Sequence, residues 1–271
     1  MGGRLRHTVS FLSDYGLDDE FAGVVRSVVR SVAPHATVVD ITHGIAPHDV
    51  RAGALALVRA VQYLAPGVVL AVVDPGVGTG RRAVAVSAGE DDEAVFVGPD
   101  NGLLAPAVAM VGGAVRAVEL TNPAFQLVAP GPTFAGRDVF APVAAHLCNG
   151  VELGELGEPV DPLTLLPGVV PLSRSEEGRL VAEVLWVDRF GNAQLNVGPE
   201  QVEDLGDRVA LRWGSDKART ARRATTYGEL HVGEVGLVVD SYGLLSVVLD
   251  RRSAADELRL NTGDAVTLEA S

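Results

Sequence analysis

The chain has 271 residues, of which 47% are hydrophobic and 21% are charged, and its formal net charge is −13. This composition is typical of a folded protein, and the length suffices for one large core or two smaller ones. The acidic charge argues against nucleic acid as a partner, because binding to a phosphate backbone requires surplus Lys and Arg.

The first half of the sequence alternates apolar strands with amphipathic helices. This alternation is typical of an α/β domain with a mostly parallel central sheet flanked by helices. The segment Val68–Val73 is apolar at every position, so it is predicted to be a central strand. The other predicted strands are Val9–Leu12, Thr37–Ile41, Arg82–Ala88, Ala94–Val97 and Val115–Leu120. The predicted helices are Glu20–Val32, Asp49–Leu64, one after Gly102, and Arg137–Cys148.

Two further stretches of the sequence are interpreted as a turn and as a domain boundary. The acidic run at residues 90–93 is interpreted as a solvated hairpin turn and not as a metal site. Between Gly150 and Gly178 the sequence loses helix and strand periodicity, which predicts a domain boundary. We therefore expect an N-terminal α/β domain over residues 1–168 and a smaller, mostly antiparallel β domain over residues 169–271.

Short β-rich segments with Gly turns follow the boundary and predict a small sheet or barrel. The basic cluster Lys217–Arg223 is interpreted as a solvated hairpin face, with an anion contact as the alternative. The predicted strands are Arg179–Val187, Arg208–Trp213, Gly236–Asp240 and Leu244–Leu249.

The sequence also indicates where the protein works. A membrane-spanning helix needs roughly 18–20 apolar residues, and each long apolar stretch here is interrupted by Asp, Arg, Gly or Pro. The N-terminal segment lacks the apolar region of a secretory signal. The single cysteine, Cys148, precludes an intrachain disulfide and fits a reducing compartment. These features predict a cytoplasmic protein with no membrane partner.

Polar residues gather at the carboxyl ends of the predicted strands, where an open α/β sheet usually binds its ligand. For Asp14, a role at the start of the following helix is the alternative interpretation. His43 and His48 lack a matching carboxylate cluster, so no metal site is predicted. The full set is Asp14, Asp40, His43, Asp74, Asp100 and Asn101.

The Gly-rich segment DPGVGTGRR begins at Asp74. It lacks the Gly-Lys-Ser/Thr ending of a phosphate-binding loop, and no helix is predicted after it. We interpret it as a loop that aims Asp74 and an arginine at one point.

Six sequence blocks together resemble one enzyme family. They are SFLSDYGLDDEFAG, VVDITHGIAPHDVRAGA, AVVDPGVGTGRRAVAV, VGPDNGLL, TFAGRDVFAPVAAHL and VDRFGNAQLN. In this order and spacing they are similar to the S-adenosylmethionine hydroxide adenosyltransferases, which are hydrolases related to the S-adenosylmethionine-dependent fluorinase and chlorinase. The resemblance implies hydrolysis of S-adenosyl-L-methionine to adenosine and L-methionine, without a metal or redox cofactor. It also implies a homotrimer with the site between subunits.

The resemblance implies three catalytic positions. Asp74 matches the residue that orients or deprotonates the attacking water, and Arg81 matches the residue that keeps this carboxylate ionised. Ala135 stands where the family has a histidine, so we predict slow hydrolysis with substrate binding retained. His146 is interpreted as a packing or surface histidine and not as a substitute. Arg137 and Asp138 are assigned to the electrostatics of a helix start.

The resemblance also implies residues that bind the ribose and the methionine. Asp14 matches the acid that receives the ribose hydroxyls, and His48 is implied to line the pocket beside the ribose. Asp188 and Ser241 match positions that hold the amino-acid end of methionine, with the carboxylate attracting the ammonium group.

The adenine ring is assigned to the second domain. Phe190 and Tyr227 match rings that pack around adenine, and Asn192 matches the side chain that reads its edge. Main-chain groups near Ala254 are implied to complete this recognition.

Two other functions stay open at this point. The first is a chloride adenosyltransferase, since Ala135 and Gly136 leave room for an anion. The Asp74 carboxylate opposes it because it repels halide, and the halogenases have Tyr at that position. The second is a protein that binds S-adenosylmethionine or adenosine without catalysis, which the absence of the histidine favours.

Overall fold

A computed structural model describes residues 4–89 and 94–271, so the acidic turn predicted at residues 90–93 lies outside the described residues. The chain divides into a first unit, Met1–Val170, and a second unit, Pro171–Ser271. Within the described residues, no helix combines the length and the apolar character needed to cross a membrane.

The first unit contains a seven-stranded sheet with the order β2-β1-β3-β5-β4-β6-β7. Strands β4 and β7 run opposite to the other five, so the expected mostly parallel sheet is confirmed. Strand β3 is buried along its whole length between β1 and β5, as predicted for a central strand. The strands are β1 Thr8–Ser13, β2 Thr37–Thr42, β3 Val68–Val72, β4 Ala83–Ala88, β5 Ala94–Pro99, β6 Ala114–Glu119 and β7 Glu158–Val160.

Helices cover both faces of this sheet, because alternate residues of each central strand point to opposite faces. Helices α1 (Phe21–Val32) and α4 (Ala141–Cys148) share one core with Val68, Leu70 and Val72 of β3. Helices α2 (Val50–Val61) and α3 (Ala105–Met110) share the other core with Val69 and Ala71. The α/β architecture predicted from the sequence is therefore confirmed.

Two helix ends differ from the prediction. Helix α2 begins after Asp49, whose side chain accepts a hydrogen bond from the amide of Ala52 at 2.8 Å, and it ends at Val61, three residues before the predicted Leu64. The predicted helix Arg137–Cys148 begins instead as a π-helical turn over Gly136–Phe140, which continues into α4.

The second unit contains an eight-stranded sheet with the order β10-β14-β13-β12-β11-β15-β9-β8. An additional pairing of β10 with β9 closes it into a barrel. All pairings are antiparallel except that of β12 with β13, so the mostly antiparallel β domain is confirmed. The strands are β8 Arg174–Glu176, β9 Arg179–Val187, β10 Ala193–Leu195, β11 Arg208–Trp213, β12 Lys217–Ala224, β13 Val235–Val239, β14 Leu245–Val248 and β15 Ala265–Ala270.

The basic cluster Lys217–Arg223 lies in β12, which forms a hairpin with β11. Its first four residues are exposed, as expected for a solvated hairpin face. The short helix α5 (Ala254–Leu258) begins at Ser253, whose hydroxyl accepts a hydrogen bond from the amide of Asp256 at 3.0 Å.

Candidate active site

Asp74 lies just after β3, and the Gly-rich loop that follows brings Arg81 back onto its carboxylate. The Nε of Arg81 donates to Oδ1 of Asp74 at 2.8 Å, and its Nη2 donates to Oδ2. The two side chains are only 15% and 6% exposed. Two parallel charge-assisted bonds fix the orientation of both groups. The loop therefore does aim Asp74 and one arginine at the same point.

Local interactions explain how the loop turns. The hydroxyl of Thr79 donates to the carbonyl of Gly76 at 2.7 Å. Gly78 has a φ of 75°, which a residue without a Cβ adopts readily. The guanidinium of Arg81 lies 5.1 Å from the centre of the Phe140 ring, which adds a cation–π contact.

The next arginine, Arg82, has a different partner. Its Nε donates to Oδ2 of Asp100 at 2.8 Å, and its Nη2 donates to the carbonyl of Thr164 at 2.6 Å. The other Asp100 oxygen accepts from the amide of Leu166 at 2.8 Å. Asn101 donates to the carbonyl of Val73 at 2.9 Å. Asp100 and Asn101 therefore hold the loops around the sheet edge, and their polar atoms are engaged by the protein itself.

Asp14 fastens the loop after β1 to the loop before α2. Its Oδ2 accepts a hydrogen bond from the amide of His48 at 2.9 Å, and His48 has a φ of 69°. Helix α1 begins only at Phe21, so Asp14 does not cap it and the helix-start interpretation is wrong. The side chain of His48 is exposed. In the described part of the chain, Oδ1 of Asp14 accepts no hydrogen bond, so it is available to a ligand.

His43 is buried between a serine and an aspartate. Its Nδ1 lies 2.7 Å from Oγ of Ser13, and its Nε2 lies 3.0 Å from Oδ1 of Asp40. Asp40 also accepts two hydrogen bonds from Arg26, at 3.0 and 2.7 Å. Ser13 Oγ accepts from the amide of Tyr15 at 3.3 Å. Because both ring nitrogens of His43 are engaged, this histidine positions the loop after β1.

Sequence reasoning did not identify Tyr15. Its ring packs against those of Phe21 and Phe134, with centroids 5.7 and 5.6 Å away. Its hydroxyl lies directly over Gly136, since a Cβ built on that glycine would be 2.2 Å from the hydroxyl oxygen. The one sequence feature that could have indicated a functional role for Tyr15 is its position next to Asp14. An aromatic residue before a helix is ordinarily interpreted as a core residue.

Ala135 is partly buried and lines a cleft of about 470 Å³ together with Arg81 and Asp138. Arg137 donates to both oxygens of Asp138, at 2.6 and 3.0 Å. This adjacent ion pair lies in the π-helical turn, a feature that is frequent at functional sites.

His146 packs against the Phe125 ring, with centroids 5.0 Å apart, and burial lowers its pKa. The structure therefore supports its interpretation as a packing histidine.

The second unit has its own cleft, of about 510 Å³. The side chain of Phe190 is 77% exposed at this cleft, and that of Tyr227 is 43% exposed. Five residues predicted from the sequence line it, namely Asp188, Phe190, Asn192, Tyr227 and Ser241.

The Asp188 carboxylate is held by its own loop. Oδ1 accepts from the amides of Phe190 and Asn192 at 2.8 and 2.9 Å, and Oδ2 accepts from the Asn192 side chain at 2.8 Å. Burial raises the pKa of the Tyr227 hydroxyl, and the charges of Asp188 and Asp240 raise it further. Both carboxylates therefore act electrostatically on this cleft.

Asp240 is a cleft residue that the sequence analysis did not select. Oδ1 accepts from the amide of Tyr242 at 2.8 Å, and Oδ2 accepts from Gln194 and Ser246 at 2.6 and 3.0 Å. Over residues 4–89 and 94–271, no arginine, lysine or histidine forms an ion pair with Asp188 or Asp240. The two carboxylates therefore have no ion-pair partner, although Arg189 also lines the cleft.

Ala254 lies outside this cleft lining and is fully buried at the start of α5. The amide of the next residue, Ala255, donates to the carbonyl of Gly191 at 2.9 Å. A Cβ on Gly191 would lie 2.1 Å from Oγ of Ser253, so the chain here approaches too closely for any other residue. The start of α5 is thus fixed against the loop that carries Asn192.

Among the described residues, no three His, Cys, Asp or Glu side chains are grouped so that they could hold a metal ion. Each unit therefore has a candidate site of its own: an Asp–Arg pair with an open aspartate in the first unit, and an acidic, aromatic cleft in the second.

Comparison with known proteins gives consistent matches over most of the chain. Residues 9–157 match the family model of the SAM hydroxide adenosyltransferase N-terminal domain, and residues 182–267 match that of the C-terminal domain. A Salinispora tropica protein named (R)-S-adenosyl-L-methionine hydrolase is 44% identical over 262 residues, which cover 97% of each chain. A fluorinase from an Actinoplanes species is 26% identical over 96% of each chain. The solved structure of an uncharacterized conserved protein from Thermotoga maritima superimposes with a TM-score of 0.88 at 34% identity, covering 96% of this chain and 99% of the other.

Proposed function

Because the chain belongs to the SAM hydroxide adenosyltransferase family, we propose that it is a hydrolase that converts S-adenosyl-L-methionine and water into adenosine and L-methionine. The observation that carries this proposal is the buried Asp74–Arg81 pair, which provides a proton acceptor in a fixed orientation. The higher identity to the hydrolases than to the fluorinase favours water over halide as the nucleophile.

The reaction is a displacement at the 5′ carbon of the ribose. The water oxygen forms a bond to this carbon on the side opposite the sulfur, and the carbon–sulfur bond breaks. Its electron pair goes to the sulfur, which leaves as the neutral thioether of methionine. The proton of the water passes to the Asp74 carboxylate and then to solvent. Because the positive sulfonium is already a good leaving group, the chain needs no metal or redox cofactor for this step.

The role of the pair follows from the charges involved. The attacking oxygen brings negative charge toward a positive sulfur, and both charges are cancelled as the bond forms. A site that excludes water favours this change. Asp74 orients the water along the line of attack, and Arg81 holds the carboxylate in place. Fixing the reactants in this way lowers the activation free energy, by on the order of 7–11 kcal/mol at most.

Each part of the substrate matches one group of side chains. Asp14 has a free oxygen to accept hydrogen bonds from the ribose hydroxyls, with His48 beside it. Asp188 attracts the methionine ammonium, and Ser241 binds the same end.

The adenine ring packs between the rings of Phe190 and Tyr227, and Asn192 and the main chain near Ala254 recognise its edge. The aromatic lining of the second cleft and the fixed position of α5 support this assignment.

The oligomer and the compartment are also part of the proposal. The chain forms a homotrimer in the cytoplasm, and its substrate site is completed between neighbouring subunits. Light scattering should then give three times the chain mass. Subunits carrying Asp74→Asn should regain activity when they are mixed with subunits carrying Asp188→Asn, because some mixed sites contain neither substitution. No regain on mixing would contradict a site shared between subunits.

The activity is tested by incubating the protein with S-adenosylmethionine and identifying the nucleoside products by chromatography and mass spectrometry. Adenosine is expected, with one oxygen from labelled water. A parallel incubation with chloride tests the alternative, since a halide adenosyltransferase would form 5′-chloro-5′-deoxyadenosine. Calorimetric binding without any product over hours would instead identify a protein that binds the substrate without catalysis.

A further inference from the structure

The Tyr15 hydroxyl is close enough to Asp14, Asp74 and Arg81 for their charges to act on it. It stands over Gly136, next in sequence to Ala135, and Ala135 lines the same cleft as Arg81. Tyr15 also directly follows Asp14, whose carboxylate has a free oxygen. From this placement we propose that Tyr15 is a further catalytic residue, whose hydroxyl binds the attacking water. The proposal rests on the hydrolysis proposed above.

The ring of Tyr15 is held so that its hydroxyl oxygen has a fixed position. Phe21 and Phe134 pack against the ring on two sides, and Phe11 lies 6.4 Å away between ring centres. The amide of Tyr15 donates to Oγ of Ser13, which the buried His43 also contacts. A group held by packing and hydrogen bonds loses little entropy when it binds its target. This support is what a water-binding group requires.

The hydroxyl is a neutral donor that the protein does not use. Burial raises the pKa of Tyr15 far above its ordinary value, and Asp14 and Asp74 raise it further against the opposing effect of Arg81. The phenol is therefore protonated at neutral pH. Among the described residues, none accepts a hydrogen bond from this hydroxyl. A hydroxyl that donates to no protein atom is expected to donate to a water or to a ligand oxygen.

The proposed contact assigns each hydrogen of the reaction. Tyr15 donates its hydrogen to one lone pair of the water, and the water donates a hydrogen to Asp74. The second lone pair is then directed at the 5′ carbon. As the water loses its proton to Asp74, negative charge develops on its oxygen, and the Tyr15 donor stabilises it. The phenol keeps its own proton throughout and ends as a donor to the 5′ oxygen of adenosine.

Tyr15→Phe tests the proposal, since it removes only the hydroxyl and keeps the packed ring. We expect kcat to fall by about 10²- to 10³-fold, because removal of one donor to a developing negative charge costs about that much. KM should change by less than about twofold, because the hydroxyl contacts the water and not the substrate. Tyr63→Phe, at an exposed tyrosine just after α2, is the matched control and should leave kcat unchanged.

The outcomes separate this inference from the proposed function. If the unaltered chain releases adenosine and Tyr15→Phe does so at the same rate, the role of Tyr15 is disproved while the hydrolase assignment stands. A loss of kcat accompanied by an equal loss in Tyr63→Phe, or by a clear drop in Tm, would also disprove it. An unaltered chain that binds S-adenosylmethionine but never releases adenosine would refute both proposals.

Discussion

Three aspartates of the first unit and two of the second are held in different ways. In the first unit, Asp74, Asp100 and Asp138 each form an ion pair with an arginine. In the second unit, Asp188 and Asp240 accept hydrogen bonds only from amides and a hydroxyl among the described residues. Both arrangements fix a carboxylate in position, but only in the first does an ion pair neutralise its charge.

This difference fits two separate tasks. A carboxylate paired with arginine forms a neutral pair, so it attracts distant charges only weakly. Its effect is to orient a water molecule that it contacts. An unpaired carboxylate attracts a cation directly, and two opposite charges 4 Å apart near a protein surface interact by about 4 kcal/mol. The first unit is therefore suited to the chemical step, and the second to holding the charged end of the substrate. Substitutions that affect only kcat or only affinity test this division.

The largest expected effect is that of Asp74→Asn in the first unit. The amide cannot accept the proton of the water, and kcat should fall by about 10²- to 10⁴-fold. Affinity for S-adenosylmethionine should change little, because the substrate charge is bound elsewhere. Adenosine release and calorimetry measure the two quantities. Asp204→Asn, at an exposed position of the second unit, is the control. A loss of affinity without a loss of kcat would mean that Asp74 binds the substrate and does not take part in the chemical step.

Ala135→His adds a proton-transferring side chain to the first unit and should raise kcat at least about tenfold. If Tyr15 binds the same water, the gain should be larger when Tyr15→Phe is also present, because the imidazole then replaces a lost contact. The four rates of this double-mutant cycle measure the coupling. An equal gain in both backgrounds would mean that the two positions act independently, and no gain at all would remove position 135 from the active site.

Asp188→Asn tests the second unit, and it should weaken S-adenosylmethionine binding about tenfold, or roughly 1.4 kcal/mol. The affinity for 5′-methylthioadenosine should be unchanged, since this analogue has neither the sulfonium nor the ammonium charge. Titration calorimetry with both ligands separates the loss of charge from damage to the cleft. A parallel loss for both ligands would show that Asp188 mainly supports its own loop through Asn192.

The contrast between the units also explains what the sequence could predict. Asp74 was predictable because it ends an apolar central strand and precedes a Gly-rich loop. Only the family resemblance, however, separated Arg81 from Arg82, since the two are adjacent and equal in charge. Asp240 has local partners in Tyr242 and Ser246, but Gln194 is 46 positions away, so no local pattern reveals that contact.

A helix or strand could be predicted where its own residues carry the pattern of apolar and polar positions. Apolar and polar residues alternate in β9 and β11, and the strand bounds predicted from this alternation, Arg179–Val187 and Arg208–Trp213, are correct. Strand β10 has three residues and forms only by pairing with β9 and β14, so its own sequence is too short to carry a signal. Tyr15 was missed for a similar reason, because its contact with Gly136 joins segments 121 residues apart.

The smallest expected effect concerns Asp40, which supports the site from outside through His43. Burial alone would raise the pKa of Asp40, but the hydrogen bonds from Arg26 and His43 and the charges of these residues lower it below its ordinary value. A lowered pKa in the folded state stabilises the fold above the unfolded-state pKa, and this contribution is lost as the pH falls through the folded-state value. Asp40→Asn should therefore reduce the free energy of unfolding near pH 7 by only about 0.5–1 kcal/mol, because solvent screens a carboxylate that is 40% exposed. Urea unfolding between pH 7 and pH 3 should show the difference from the unaltered chain shrinking as Asp40 becomes protonated, while Asp204→Asn shows no such convergence. A difference that persisted at the lowest pH would mean that Asp40 acts through the shape of the loop and not through its charge.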